Sequence, residues 1–507
     1  MSDPATLEGL LQASARRYGE RPALTHGARD LTYRDFAAAV DRLAARLAPD
    51  VAPGQRVAIV APNVPLLAIA LFAVWRLGGV AVPLNARYRE YELQRILEDA
   101  APVAVIAIES AGGFSFATLL QALLPGLPAL RRCLFTDPWA EVTGEIACQR
   151  ADTAAPVAPL DPMIAALLYT SGTTGEPKGA LVTHRREIDS VVAMNEVLAT
   201  DPADRCGFVV PLSHAFGLSC FLAAVAAGSQ VLLVDASFSP APLLRAIARH
   251  RATILHGSPA VFASLVKSPA DSRRTLRSGF VAGAPCPPAV LEALAPHATI
   301  LNLYGTTETG AVACCRADDP PERRFATVGR PLPGYEVRVV AGELQVRGRA
   351  VIPGYFRQPE QSAAAFDGDW FRTGDLGAVD AGGYLSITGR IHEMVQVAGH
   401  SVSPAEVEGL LLTHPDVERA VVVGVPHETM GEVLGAFVVA RPGSALTPAA
   451  LLRFARGRIA GYKLPYAITL VSEIPILASG KPDRRAVLRA IQETADGGRG
   501  AATLHGL

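Results

Sequence analysis

The strongest limit on the fold of this 507-residue chain is the alternation of short apolar runs with helical patterns. The runs "RVAIVAP" (56–62), "GVAVPL" (79–84), "PVAVIAI" (102–108) and "QVLLVD" (230–235) read as strands, and "LLRAIARH" (243–250) and "PPAVLEALAPH" (287–297) read as helices. Strand–helix alternation over such a length predicts a layered α/β architecture, with helices covering sheets. A chain of 507 residues is also too long for one ordinary core, so two or more domains are expected. A second regime begins near "GRIHEMVQVAGHSVSP" (389–404). It continues as helix "AEVEGLLLTH", strand "ERAVVVGVP", strand "GAFVVAR", helix "TPAALLRFARGRI" and strand "YAITLVSEIP", a small α+β domain with its own core. The boundary is placed at about Arg390, giving domains 1–389 and 390–507, with a frayed tail "ADGGRGAATLHGL".

A formal net charge of −1 shows no electrostatic footprint for nucleic acid or an anionic membrane. The seven cysteines are scattered without CxxC spacing, which argues against a zinc site or a disulfide framework and fits a reducing compartment. "MSDPATLEGL" has no basic stretch followed by an apolar one, so it does not read as a signal peptide. The greasiest segment, "VPLLAIALFAVWRLGGVAVPL", is broken by Arg76, two glycines and Pro83, and predicts a buried helix and then a strand rather than a membrane span. These features together predict a cytoplasmic protein.

Between two apolar runs lies "LLYTSGTTGEPKGALVTH" (167–184). A plain turn needs one or two glycines, whereas this segment combines glycines, hydroxyls and Lys178 in the way a backbone wrapped around phosphate would. It is not a P-loop, because Lys178 follows Pro177 and precedes Gly179. In "NLYGTTETG" (302–310), Glu308 stands beside hydroxyls at a strand end, either to ligate a magnesium ion bridging phosphates or as the acidic first turn of a capped helix. In "WFRTGDLG" (370–377), Asp375 either grips the vicinal hydroxyls of a ribose or closes an Asx-turn.

Taken in order, these stretches resemble the adenylate-forming superfamily, in its acyl-CoA synthetase and aryl-CoA ligase branch. "YTSGTTGEPKG" is similar to the family's phosphate loop, "YGTTE" to its magnesium and phosphate motif and "WFRTGDLG" to its ribose motif. "GRIHE" is similar to its hinge and "ASGKPDRRAV" to its C-terminal lysine motif; the resemblance covers roughly residues 5–490. It implies a large N-terminal layered α/β domain and a small mobile C-terminal α+β lid. The implied reaction is ATP-dependent activation of a carboxylic acid to an acyl-adenylate, followed by thioester formation with CoA and release of AMP and pyrophosphate. The implied cofactors are ATP, Mg2+ and CoA as co-substrate.

The resemblance also implies residue roles. Thr170, Ser171, Gly172, Thr173, Thr174 and Gly175 would wrap the β- and γ-phosphates, with Lys178 near them. Thr307 would touch the α-phosphate, Glu308 would ligate magnesium, and Asp375 and Arg390 would hold the ribose. Gly283, Ala284 and Pro285 would line the adenine and Tyr304 would stack on it. Lys481 would act in catalysis from the lid, reaching the charge that develops between carboxylate and α-phosphate. His214 would be a gate near the acyl carbonyl, the other reading being a satisfied core histidine. The lid would rotate about His392, where the family usually has Asp or Lys; histidine there either adds a protonation-dependent bias or is simply tolerated. Gly399, preceded by Ala398 where the family often has a second glycine, would border the path of the thiol.

The segments expected to line the acyl pocket supply Phe216, Ser219, Phe280, Gly305 and Ala311, with no charge among them, so a small-to-medium aromatic or apolar acid is expected. Two alternatives stand beside the CoA ligase: a stand-alone adenylation enzyme loading a carrier-protein phosphopantetheine, and a catalytically silent nucleotide-binding protein. The expected partners are small molecules or a carrier protein, with no nucleic acid and no membrane span, for a monomer or homodimer.

Overall fold

The computed structural model describes residues 5–147, 158–171, 177–234, 240–269, 273–391, 394–475, 482–497 and 502–503. Packing divides the chain into two units, which are not contiguous in sequence. The larger comprises Met1–Ala86, Ile96–Tyr169 and Gly179–Gly389, and the smaller Arg87–Arg95, Thr170–Lys178 and Arg390–Leu507.

In the larger unit, among the described residues, a seven-stranded sheet runs in the order Pro177–Thr183, Ile164–Ser171, Val80–Asn85, Arg56–Ala61, Ala104–Ile108, Arg132–Thr136, Val142–Ala147. Arg56–Ala61 pairs in parallel with neighbours on both sides. Its side chains are buried throughout, as expected of a strand covered on both faces. A nine-stranded sheet carries the parallel strands Gln230–Leu233, Arg205–Phe208, Ile254–His256, Ser278–Val281 and Thr299–Thr306 at its centre. Helices Leu7–Tyr18, Tyr33–Leu47, Pro65–Arg76, His184–Leu198 and Ala215–Ala227 share one hydrophobic core with strands of both sheets. Pro65–Arg76 is buried from Pro65 to Trp75, which explains why it is apolar all round: no face of it meets water. It leads into strand Val80–Asn85, so the greasiest segment is a buried helix and a strand. Among the described residues no helix is long and apolar enough to cross a membrane. A second core, with Leu243, Phe262 and Leu291, joins helices Pro240–His250, Pro259–Val266 and Pro288–Leu294 to Leu232, Leu255 and Ile300 of the nine-stranded sheet.

A third sheet departs from the alternating pattern. Strands Tyr335–Val340, Glu343–Gly348, Trp370–Val379 and Phe366–Asp367 pair antiparallel, and Leu385–Arg390 pairs with Trp370–Val379. The buried residues Leu344, Val346 and Leu385 pack with Tyr304 and Val312, which anchors this sheet beside the end of the nine-stranded one.

The smaller unit follows the helix–strand order read from the sequence: Pro404–Leu412, Val417–His427, Gly431–Ala440, Pro448–Ala455 and Ala467–Leu470. The strands Val417–His427 and Gly431–Ala440 are antiparallel, with Val421 opposite Phe437, while Gly431–Ala440 and Ala467–Leu470 are parallel. One core, with Val402, Leu410 and Val438, lies under helices Pro404–Leu412 and Pro448–Ala455; another holds Val487 and Ile491 of helix Arg484–Gly497. Arg87–Arg95 belongs here through Glu92, which accepts from Ala460 N at 2.8 Å and stands 3.4 Å from the buried Lys463 ammonium. Lys463 also meets Glu406 at 2.6 Å. Burial pulls its pKa down, but Glu406, Tyr462 and Glu92 together hold it well above its ordinary value.

Candidate active site

Glu308 sits in the tight turn between the antiparallel strands Thr299–Thr306 and Gly310–Cys314. Hydroxyls close this turn locally: Thr306 Oγ1 accepts from Glu308 N at 3.2 Å, and Thr309 Oγ1 accepts from Thr306 N at 3.0 Å. It is also tied from outside. The Tyr355 hydroxyl donates to Glu308 Oε1 at 3.0 Å, Ile352 N donates to Glu308 O at 2.8 Å, and Arg186 Nη2 donates to Thr307 O at 2.6 Å. Thr306 and Thr309 therefore shape a strand-to-strand turn, and the helix-cap reading of this segment does not hold. Burial and the Glu308 carboxylate push the Tyr355 phenol upward, so it remains a donor. Among the described residues no cluster of three or more His, Cys, Asp or Glu could cage a metal. A single half-buried carboxylate fits a magnesium ion that takes its remaining ligands from phosphates and water.

Asp375 lies in strand Trp370–Val379 with its side chain buried. The Tyr304 hydroxyl, from the strand that leads into the Glu308 turn, donates to Asp375 Oδ2 at 2.7 Å. Two of the predicted site segments are thus joined by one hydrogen bond. Gly283, Ala284 and Pro285 follow strand Ser278–Val281 in an open turn in which Gly283 and Pro285 are exposed.

His214 precedes helix Ala215–Ala227 and keeps solvent access, yet the surrounding protein lowers its pKa, with Glu308 opposing that shift. The imidazole is therefore neutral at neutral pH. Phe280 is buried and Phe216 partly so, and both meet His256, a residue the sequence reading did not single out. His256 stacks on Phe280 with 5.5 Å between ring centroids, and its ring edges meet Phe216 at 6.4 Å. Burial lowers its pKa to about 3, so it behaves as a third aromatic ring. Its sole sequence signal is that it ends the apolar strand Ile254–His256. Ala311 is buried in strand Gly310–Cys314, and Gly305 is exposed at the strand end. Ser219 is buried and donates to Glu187 Oε2 at 2.7 Å, which sets an acidic group behind a segment read as uncharged. Arg277 lies against Asp204, with Nε 2.8 Å from Oδ1.

In the smaller unit lie Thr170, Lys178, Arg390 and Gly399. Arg390 is exposed at the end of strand Leu385–Arg390, and Gly399 occupies the two-residue loop between Val395–Val397 and His400–Val402. Gly172, Thr173, Thr174, Gly175, His392 and Lys481 lie outside the described residues, and Ser171 is described only as the end of strand Ile164–Ser171.

Two family models match the chain: AMP-binding enzyme over residues 11–356, and AMP-binding enzyme C-terminal domain over residues 406–481. The chain is 37% identical over 500 residues to a 3-[(3aS,4S,7aS)-7a-methyl-1,5-dioxo-octahydro-1H-inden-4-yl]propanoyl:CoA ligase of Mycobacterium tuberculosis, covering 95% of this chain and 98% of that one. It is 34% identical to a feruloyl-CoA synthase of Amycolatopsis, covering 92% and 95%. Among solved structures, the amide bond synthetase McbA of Marinactinospora thermotolerans superposes with a TM-score of 0.83 at 28% identity, covering 96% and 99%. Fold and relatives define a class, the adenylate-forming ligases that join an acid to a thiol. The chain belongs to the AMP-binding enzyme family. Within it, the protein is an ATP-dependent acyl-CoA synthetase of the acid–thiol ligase type.

Proposed function

We propose that the protein activates a small-to-medium aromatic or apolar monocarboxylic acid, with Mg2+ bound at Glu308, and transfers the acyl group to CoA. One observation carries the choice of acid: among the described residues, the cations near the segments expected to line the acyl pocket are already paired with carboxylates. Arg277 faces Asp204, Arg186 faces Glu187, and the histidine between Phe216 and Phe280 is neutral. A second carboxylate on the substrate would be buried without a counter-charge, at a cost of several kcal/mol. The relatives divide on this point: a ligase of an indane-derived propanoate and a feruloyl-CoA synthase take monocarboxylates, whereas an oxalate–CoA ligase and a 2-succinylbenzoate–CoA ligase, 31% and 32% identical to this chain, take dicarboxylates.

The substrate carboxylate attacks the α-phosphorus of ATP, and the bond to the pyrophosphate oxygen breaks. Holding two anionic reagents in line is the main task, and it falls to amides, hydroxyls and cations. Thr170, Ser171, Gly172, Thr173, Thr174, Gly175 and Lys178 take the β- and γ-phosphates, and Thr307 takes the α-phosphate. When bound, Mg2+ withdraws charge from the phosphates. Glu308, oriented by Tyr355, supplies its protein ligand. Asp375 and Arg390 hold the ribose, and Tyr304 with Gly283, Ala284 and Pro285 holds the base. His214, neutral, stands by the acyl carbonyl without adding charge. Lys481 neutralises charge as adenylate forms. The CoA sulfur then attacks the acyl carbon past Gly399, and AMP leaves.

Carboxylate-dependent exchange of pyrophosphate into ATP, screened over aromatic, alicyclic, fatty and dicarboxylic acids, tests this reading. Exchange is expected with aromatic or alicyclic monocarboxylates, and thioester with free CoA. Preference for a dicarboxylate would overturn the choice of acid. Transfer solely to a phosphopantetheinylated carrier would overturn the choice of thiol.

A further inference from the structure

Behind the Glu308 turn lies an ion pair that none of the roles above uses. Arg186 and Glu187 occupy the first turn of helix His184–Leu198, whose N-cap Thr183 accepts from Arg186 N at 3.1 Å. Both side chains are fully buried, with Arg186 Nη1 2.9 Å from Glu187 Oε1. The other guanidinium donors are spread over separate segments: Nη2 donates to Thr307 O at 2.6 Å and Nε to Ala350 O at 3.0 Å. Two residues beyond Ala350, Ile352 N donates to Glu308 O at 2.8 Å. The successive carbonyls of Thr307 and Glu308 are therefore both held from outside the turn. The opposite end of the pair reaches the acid side, where Glu187 Oε2 accepts from Ser219 Oγ on helix Ala215–Ala227.

Gly310 makes room for this arrangement. At φ +68° it adopts a left-handed backbone, and a Cβ there would stand 2.9 Å from Ser190 Oγ and 3.5 Å from Arg186 Nε. A buried ion pair contributes little net stability compared with apolar residues of the same shape, so its consequence here is geometric. The planar fork of arginine is what allows three acceptors in different directions to be held by one side chain; a lysine ammonium on a flexible stem does not fix them.

We propose that Arg186 is a positioning residue for adenylate formation, fixing the Thr307–Glu308 turn and, through Glu187 and Ser219, coupling it to the helix that follows His214. This rests on the phosphate and magnesium roles proposed for Thr307 and Glu308. The test uses full-length protein. The double variant Arg186→Met/Glu187→Leu removes both charges and strands neither, and Arg186→Lys keeps the charge and loses the fork. Pyrophosphate exchange is measured per folded molecule, with thermal unfolding alongside. The double variant is expected to lose about 10- to 100-fold in kcat, the range for a small misplacement of reacting groups, with the KM for ATP changed by no more than about threefold. Arg186→Lys is expected to fall between it and the unmodified enzyme. A folded double variant within about threefold of the unmodified kcat would overturn the proposal, as would a loss no larger than the loss of folded protein. Absence of exchange in the unmodified enzyme would instead sink the activity itself, so the two failures are distinct.

Discussion

The Tyr304 hydroxyl donates to Asp375 Oδ2 at 2.7 Å, and both side chains are buried. The aromatic ring expected under the base and the carboxylate expected on the ribose are therefore held as one piece, across two different sheets. Asp375→Ala should weaken ATP binding by about 10- to 100-fold, the scale of losing hydrogen bonds to a charged acceptor. Tyr304→Phe should cost less, roughly 3- to 10-fold, because the ring remains. Calorimetric titration with ATP reads both, and unchanged affinity in Asp375→Ala would remove the ribose assignment.

Glu308 and Tyr355 make a second pair, 3.0 Å apart. Glu308→Gln should lower pyrophosphate exchange by at least about 100-fold, since the phosphates lose the only carboxylate assigned to their metal. Tyr355→Phe should lower it by about 10-fold and raise the Mg2+ concentration needed for half-maximal rate. Equal magnesium profiles in Tyr355→Phe and the unmodified enzyme would separate the tyrosine from the metal.

The loop Ala398–Gly399 has positive φ at both residues, 49° and 86°, between Val397 and His400, which oppose each other across the hairpin. A hairpin loop of two such residues favours Asn-Gly or Gly-Gly, and alanine there is strained. Ala398→Gly should stabilise the smaller unit by about 1 kcal/mol, seen as a higher denaturant midpoint at constant slope. A lower midpoint would show that the alanine methyl packs well enough to outweigh its strain.

His184 and His256 are buried, and burial lowers their pKa values from 6.5 to about 4 and about 3. Below pH 6.5 the unfolded chain takes up protons on these rings while the folded chain does not. Stability therefore falls as pH drops from 6.5 towards 4, by about 1.4 kcal/mol per pH unit for each histidine. His256→Phe should flatten that slope by one histidine's share in urea titrations at pH 6 and pH 4.5. An unchanged slope would mean that His256 does not stay neutral in the folded protein.

Lys481, assigned to the first half-reaction alone, gives the sharpest kinetic separation. Lys481→Ala should reduce adenylate formation by about 100-fold or more while sparing thioester formation from supplied acyl-adenylate. Equal losses in both steps would contradict the role.

What the sequence by itself determined is the layered α/β class, the small α+β unit and the family. Each rests on local signals: apolar runs such as 56–62, and motifs whose residues lie close together in the chain. The helix Pro65–Arg76, apolar from Pro65 to Trp75, and the strand after it were legible for the same reason, since burial on every side leaves no polar face to write. Only the tertiary structure decided the partners. Tyr355 meets Glu308 from 47 residues away, Tyr304 meets Asp375 from 71, and Arg186 reaches Thr307 from 121. His256 becomes a neutral ring because Phe208, Phe216 and Phe280 converge on it from other strands and a helix. No periodicity encodes such meetings, because hydrogen bonds and desolvation depend on distance in space, and chain folding sets that distance independently of separation in sequence.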